Sequence, residues 1–220
     1  MKQAVFFDFD KTLINCDSQA EEGAYFVKTM RFSLFYILKI LRVLAGEVLY
    51  KRNFLNPSQY NSLYISTYKG MKADWLEEQA EVIYKQRIKP AYIPEMVKLL
   101  ENYRQNGYLI VVVTATPEHL IRQARHDLRA DFVISTVLEN DASGYCTGKT
   151  EGNICVGMEK ARAIHKLASD AGISLADSYA YSDHHADIDF LKAVGHACVV
   201  NPTKQLLRTA KKEKWQILSV

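Results

Sequence analysis

Residues 109–114 read LIVVVT, a β-branched apolar run that follows the turn signal Asn106-Gly107. Such a run predicts a buried strand. Four more segments read the same way: QAVFF at 3–7, DFVIST at 131–136, SYAYS at 178–182 and ACVV at 197–200. Helical patterns separate them, over Ile93–Gln105, Pro117–Leu128, Gly157–Ala171 and His185–Ala193. Strand alternates with helix from about residue 90 onward. That order implies an α/β chain with a Rossmann-like parallel sheet and helices on both faces. Residues 203–214 read as a last, basic helix.

The stretch from 17 to 88 breaks this rhythm. It holds helical patterns over Ser18–Met30, Phe32–Tyr50, Pro57–Tyr68 and Asp74–Gln86, and no convincing strand. The expected organisation is a core of residues 1–16 and 89–220, interrupted by an all-helical insertion of residues 17–88. Pro90 and Pro94 mark the return to the core. A chain of 220 residues, 48% of them hydrophobic, is long enough for one domain with such an insertion.

Several partner classes fall away on composition. Twenty-eight basic residues against 25 acidic ones, without large clusters, argue against nucleic acid. The cysteines, Cys16, Cys146, Cys155 and Cys198, lack CxxC spacing, which disfavours a zinc site or a disulfide framework. The start MKQAVFFDFD places two acids where a secretory signal needs an apolar core. The expected location is the cytoplasm. Phe32–Leu49 is the most apolar region, but Lys39, Arg42 and Glu47 interrupt it, and its longest uncharged run, Phe32–Leu38, is far too short to span a bilayer. It reads as a core helix of the insertion, with membrane contact through its broad apolar face as the sharper alternative.

In an open α/β sheet the ligand sits beyond the carboxyl ends of the strands. The residues found there are Asp8 and Asp10, then Thr114 and Thr116, then Asp183 and Asp187. Asp8 and Asp10 alone would pass for a solvated, helix-capping turn. Four carboxylates converging on one edge repel, and they call for a cation. All-oxygen ligands suit a hard one, Mg²⁺. A carboxylate can also attack a phosphoryl group, and a hydroxyl and an ammonium can hold the phosphoryl oxygens.

The strings carry a resemblance. Asp8-Phe9-Asp10-Lys11-Thr12 resembles motif I of the haloacid dehalogenase (HAD) superfamily, DxDxT. VVVTATP, with Thr114, resembles motif II. Lys160 in GMEKARAI resembles the motif III lysine, and YSDHHADIDFL, with Asp183 and Asp187, resembles motif IV. The four stand in the family's order. The helical insertion after motif I is similar to the C1 cap of subfamily IB, the phosphoserine-phosphatase-like branch.

What the resemblance implies is a Mg²⁺-dependent phosphatase of small phosphomonoesters. Asp8 would be the nucleophile and Asp10 the general acid and base. Thr114 and Lys160 would hold the phosphoryl group. Asp8, the Asp10 backbone carbonyl, Asp183 and Asp187 would form the metal site. Asp17 stands where relatives carry a substrate-binding Glu, which suggests an amino-alcohol phosphate. Lys149 is a rival to Lys160. Lys11 replaces the usual Gly or Ser, and Thr114-Ala115-Thr116-Pro117 replaces a Ser-Gly-Gly run. The stretch Gly144–Thr150 (GYCTGKT) falls one residue short of a phosphate-binding P-loop and reads as a hairpin turn. His184 and His185 read as a polar loop lining the site. Two alternatives remain at this stage: a lipid-phosphate phosphatase of the phosphatidylglycerophosphate type that docks through its cap, and a non-catalytic phosphate-binding module.

Overall fold

A computed structural model describes residues 1–29 and 34–220. Met30, Arg31, Phe32 and Ser33 lie outside the described residues, and with them the expected end of the first insertion helix and start of the second. Strand β1 (Ala4–Phe7) is buried along its whole length. Four helices follow: α1 (Ser18–Thr29), α2 (Leu34–Lys51), α3 (Pro57–Ile65) and α4 (Ala73–Ile83). The chain then returns through α5 (Pro94–Gln105) to β2 (Leu109–Pro117), α6 (Glu118–Asp127) and β3 (Phe132–Thr136). A short hairpin, β4 (Leu138–Asn140) and β5 (Cys146–Thr150), precedes α7 (Met158–Ala171) and β6 (Tyr179–Ser182). The remainder is α8 (Ile188–Lys192), β7 (His196–Val200), α9 (Lys204–Glu213) and β8 (Gln216–Leu218).

The main sheet has the order β3-β2-β1-β6-β7-β8, and every pairing in it is parallel. Side chains alternate across it, as strand geometry requires. Ala4, Phe6, Val111, Val113 and Ala180 face a cluster with Ile164 of α7, Phe190 of α8 and Leu206 of α9. Val5, Phe7, Ile110, Val112 and Tyr181 face Leu100 of α5 and Leu120 of α6. That second cluster continues without a break into the inserted helices, through Phe26, Ile65, Leu76 and Ile83. Burial of each large side chain here is worth about 1.5–3 kcal/mol. The insertion is therefore seated on one face of the sheet by the same apolar contacts that hold the core.

Local sequence sets the helix ends. Asn56 and Gln59 form a reciprocal capping box with Pro57 at the first position of α3. Pro94 opens α5, and Gly172 closes α7 in the left-handed conformation.

Three features depart from expectation. GYCTGKT is mostly strand: the turn is built on Asp141, whose carboxylate accepts from the backbone of Ser143 and Tyr145, and Cys146–Thr150 is β5. The three-residue β8 was not foreseen, since Gln216–Leu218 is short and largely exposed and pairs only because β7 offers it an open edge. Helix α2 is not a core helix. It buries only Tyr36, Val43 and Gly46, and most of its leucines face outward.

The hairpin is bonded to the insertion. Gly70 N donates to the Cys146 carbonyl at 2.9 Å, and Cys146 N donates to the Met71 carbonyl at 2.8 Å. This close approach needs Gly148, whose φ is +80° and whose added Cβ would stand 2.8 Å from the Lys69 Cβ. Gly144 has a similar φ of +79° but open space around it. Gly144→Ala should show the backbone strain alone, of about 1–3 kcal/mol. Gly148→Ala should cost measurably more in urea unfolding, because it also pushes the hairpin off the insertion. Equal losses would mean that the approach is not tight.

Candidate active site

The parallel sheet brings β1 and β6 together, and their carboxyl ends carry the acids. Asp8 N still pairs with β6, donating to the Tyr181 carbonyl at 2.9 Å, so Asp8 is held as rigidly as the strand itself. Lys160 comes from the first turn of α7. Gly157, just before that helix, has φ +60°, and a Cβ on it would lie 3.3 Å from the Ala186 carbonyl. The turn thus lets α7 begin against the loop that carries Asp187.

The result is an ion-pair bridge. Lys160 Nζ donates to Asp8 Oδ1 and to Asp187 Oδ2, each at 2.7 Å, and all three side chains are buried. Ser182 Oγ donates to the same Asp187 oxygen at 2.8 Å. Lys149, the rival lysine, is exposed on β5 and makes no ion pair among the described residues. Asp183 is buried beside this bridge, and its carboxylate accepts no hydrogen bond from a described residue.

Asp10 is held separately. Its Oδ1 accepts from Ser18 N and its Oδ2 from Thr116 Oγ1, both at 2.7 Å. Thr114 Oγ1 donates to Thr116 Oγ1 at 2.9 Å, and Ser18 Oγ lies 3.0 Å from the same atom. Sequence reasoning gave no role to Thr116 or Ser18. The signal was present for Thr116, which is two residues beyond Thr114 and so on the same side of β2. Asp17 caps α1, accepting from Ala20 N at 3.0 Å, with Lys11 Nζ at 3.9 Å. Lys11 itself takes φ +57° and points its ammonium to the rim.

Electrostatics reflect the crowding. Burial pushes Asp8 up to about 6, with Asp187 adding to the effect and Lys160 opposing it. Burial and then Asp17 push Asp10 up to about 7. Burial, Asp8 and Asp187 push Asp183 up to about 8. Burial works against the Lys160 ammonium, but Asp187 and Asp8 outweigh it and hold it charged. Of these buried acids, Asp8 and Asp187 share one buried lysine. Among the described residues no three His, Cys, Asp or Glu side chains close a ligand set by themselves. Mg²⁺ takes only one or two carboxylates and completes its shell with water and phosphate oxygens. Asp8 and Asp183, the latter with no hydrogen bond to its carboxylate from a described residue, could supply two of its oxygen ligands.

The insertion roofs this site. Tyr50, in the last turn of α2, stacks on Tyr60 of α3 with ring centres 5.2 Å apart. It also lies over His184 and His185, at 6.2 and 6.4 Å. Burial, reinforced by His185, lowers His184 to about 4, so it is neutral and its Nδ1 accepts from Ala186 N at 3.2 Å. A cleft of about 440 Å³ opens at Lys11, Asn15 and Asp183 and runs past Tyr92, Pro94 and Asn201. A second link between insertion and core is wholly buried: Glu22 Oε1 lies 2.8 Å from His119 Nε2, and Tyr68 donates to Glu22 Oε2.

The sheet order, the acids at the strand ends and the inserted helices define a class of hydrolase, and the comparisons agree. The family model for haloacid dehalogenase-like hydrolases matches residues 5–192. The chain belongs to that family. It is an enzyme of the phosphatase kind, a phosphoric monoester hydrolase of the phosphoserine-phosphatase-like branch. A probable phosphatase of Mycobacterium tuberculosis is 28% identical over 99% of this chain and 75% of its own length. A histidinol-phosphatase of Neisseria meningitidis is 24% identical over 100% and 99%. Among solved structures, a Bordetella pertussis protein of unknown function covers 99% of this chain and 98% of its own, with TM-score 0.88 and 24% identity. A phosphoserine phosphatase solved as a phospho-aspartyl intermediate analogue covers 100% and 93%, with TM-score 0.71 and 21% identity. The two structural likenesses show the fold. Among the described residues no helix is long and apolar enough to cross a membrane.

Removing one partner from a buried ion pair costs about 3–5 kcal/mol. Lys160→Met should therefore lower the urea midpoint and abolish phosphatase activity, whereas Lys149→Met should leave both unchanged. Retained activity in the first variant would reject the bridge as part of the site.

Proposed function

We propose that this hydrolase is a Mg²⁺-dependent phosphatase of small phosphomonoesters that works through an aspartyl-phosphate on Asp8. The observation that supports it most is the Lys160 bridge, which aims a buried, restrained carboxylate out of the strand end beside a second, unbonded one. Asp8 attacks phosphorus and forms an acyl phosphate as the ester P–O bond breaks. Asp10, held away from Asp8 by Ser18 and Thr116, gives its proton to the leaving oxygen. It then takes a proton from the water that attacks the acyl phosphate, which releases inorganic phosphate and restores Asp8. Lys160 neutralises charge on the phosphoryl oxygens while it keeps Asp8 in place. The Thr114 hydroxyl serves the phosphoryl oxygens or, as the Thr116 bond suggests, steadies Asp10. Bound Mg²⁺ would screen the approach of a phosphate dianion to a carboxylate.

The substrate reading rests on the rim. Asp17 is half-exposed next to Asp10, and the Tyr50–Tyr60 stack overhangs the same space. An acidic group beside aromatic faces suits an ammonium-bearing ester, an amino-alcohol phosphate. The named activities of relatives, phosphoserine phosphatase and histidinol-phosphatase, are of that kind.

Purified protein should hydrolyse p-nitrophenyl phosphate with Mg²⁺, lose this in EDTA and regain it on Mg²⁺ addition. Asp8→Asn should reduce turnover at least about a thousandfold. Full activity in that variant would sink the mechanism, and phosphate binding without turnover in the wild type would leave a binding module instead. A metabolite panel on wild type and Asp17→Ala tests the substrate class: an unchanged profile removes Asp17 from recognition.

A further inference from the structure

Helix α2 turns an apolar face to solvent. Leu34, Phe35, Leu38, Leu41, Leu44 and Val48 are between 51% and 72% exposed. At about 100° per residue, with Ala45 and Leu49, they sweep roughly half of the helix circumference. Phe54, 72% exposed, extends the face past the helix end. A patch of this kind on one element marks an interaction site. Its breadth exceeds the a/d stripe that a two-helix seam uses.

Charge narrows the choice of partner. The helix and the residue after it carry Lys39, Arg42, Lys51 and Arg52 against a single acid, Glu47. Glu47 is engaged by Lys51 at 2.5 Å, and Lys39 bonds to the Thr67 and Lys69 carbonyls. Arg42, which donates to Ser66 Oγ, and Arg52 stand exposed with no acidic partner among the described residues. In a twofold contact between copies this positively charged face would meet its own like charge. Lipid phosphates would instead complement the arginines at the level where the leucines enter the acyl layer.

We propose that α2 docks on an anionic phospholipid bilayer, lying in the surface plane with its exposed half in the boundary between headgroups and acyl chains. The docking holds whatever ester the site cleaves. It also has a geometric consequence. Tyr50, at the end of α2, stacks on the loop that carries Asp183 and Asp187, so the docked face lies next to the roof of the site.

Co-sedimentation with vesicles tests this. The full chain should bind vesicles of phosphatidylcholine with phosphatidylglycerol, bind pure phosphatidylcholine more weakly, and lose the difference at high salt. The double variant Leu41→Asp, Val48→Asp should weaken binding by about tenfold or more, and keep its melting temperature and its p-nitrophenyl phosphate turnover, because both positions are exposed. Arg42→Ala with Arg52→Ala should reduce the preference for anionic vesicles. Absence of binding to either vesicle, or equal binding by the Asp variant, overturns the proposal. A dimer seen by light scattering that the Asp variant dissolves would overturn it in favour of a second copy.

Discussion

One buried ammonium joins three distant parts of this chain. Lys160 reaches Asp8 from the end of β1 and Asp187 from the loop after β6, at 2.7 Å each. Without it, the parallel pairing of β1 with β6 would bring unpaired carboxylates together in a place that water scarcely enters. The cost of burying those charges is met only when β1, α7 and the Asp187 loop are all in position at once. The bridge is therefore a register device as well as a chemical one. Its geometry depends on Gly157, which lets α7 start against the Ala186 carbonyl.

The inserted helices extend this logic outward. Their apolar sides merge with one face of the sheet, so they do not form a separate core. Polar links then fix them in position. Glu22 and His119 pair in complete burial, and the hairpin strand β5 bonds to the segment around Gly70 and Met71. What the insertion adds to the site is its roof, the stacked Tyr50 and Tyr60 over the paired histidines. One element can thus serve two surfaces. The last turn of α2 covers the carboxylates, and its outward face is left to solvent or to a partner.

The strands of the core were legible in the sequence because each is an apolar run between turn signals, and such runs have few alternatives. The acids were legible for a related reason: carboxylates directly after buried strands are costly and therefore rare. Other features were hidden. Ser18 carries no pattern of its own, Thr116 showed only its place at a strand end, and the importance of both comes from the oxygens of Asp10 that they meet. Helix α2 looked like a core helix because its composition is apolar, but composition does not say which side a neighbour covers. Strand β8 has no apolar run, and its pairing arises from the free edge of β7.

By itself, then, the sequence determined the order of the main core strands and helices, the interruption after β1 and the set of acids at the strand ends. Those are properties of local pattern, of period and of residue type at a chain position. The tertiary structure added what local pattern could not, that Lys160 is buried against Asp8 while Lys149 is exposed. It also decided what roofs the site and which face of α2 stays open. Each of these depends on which surfaces meet across long sequence separations, from 8 to 160 and from 50 to 184, and local pattern carries no record of such meetings.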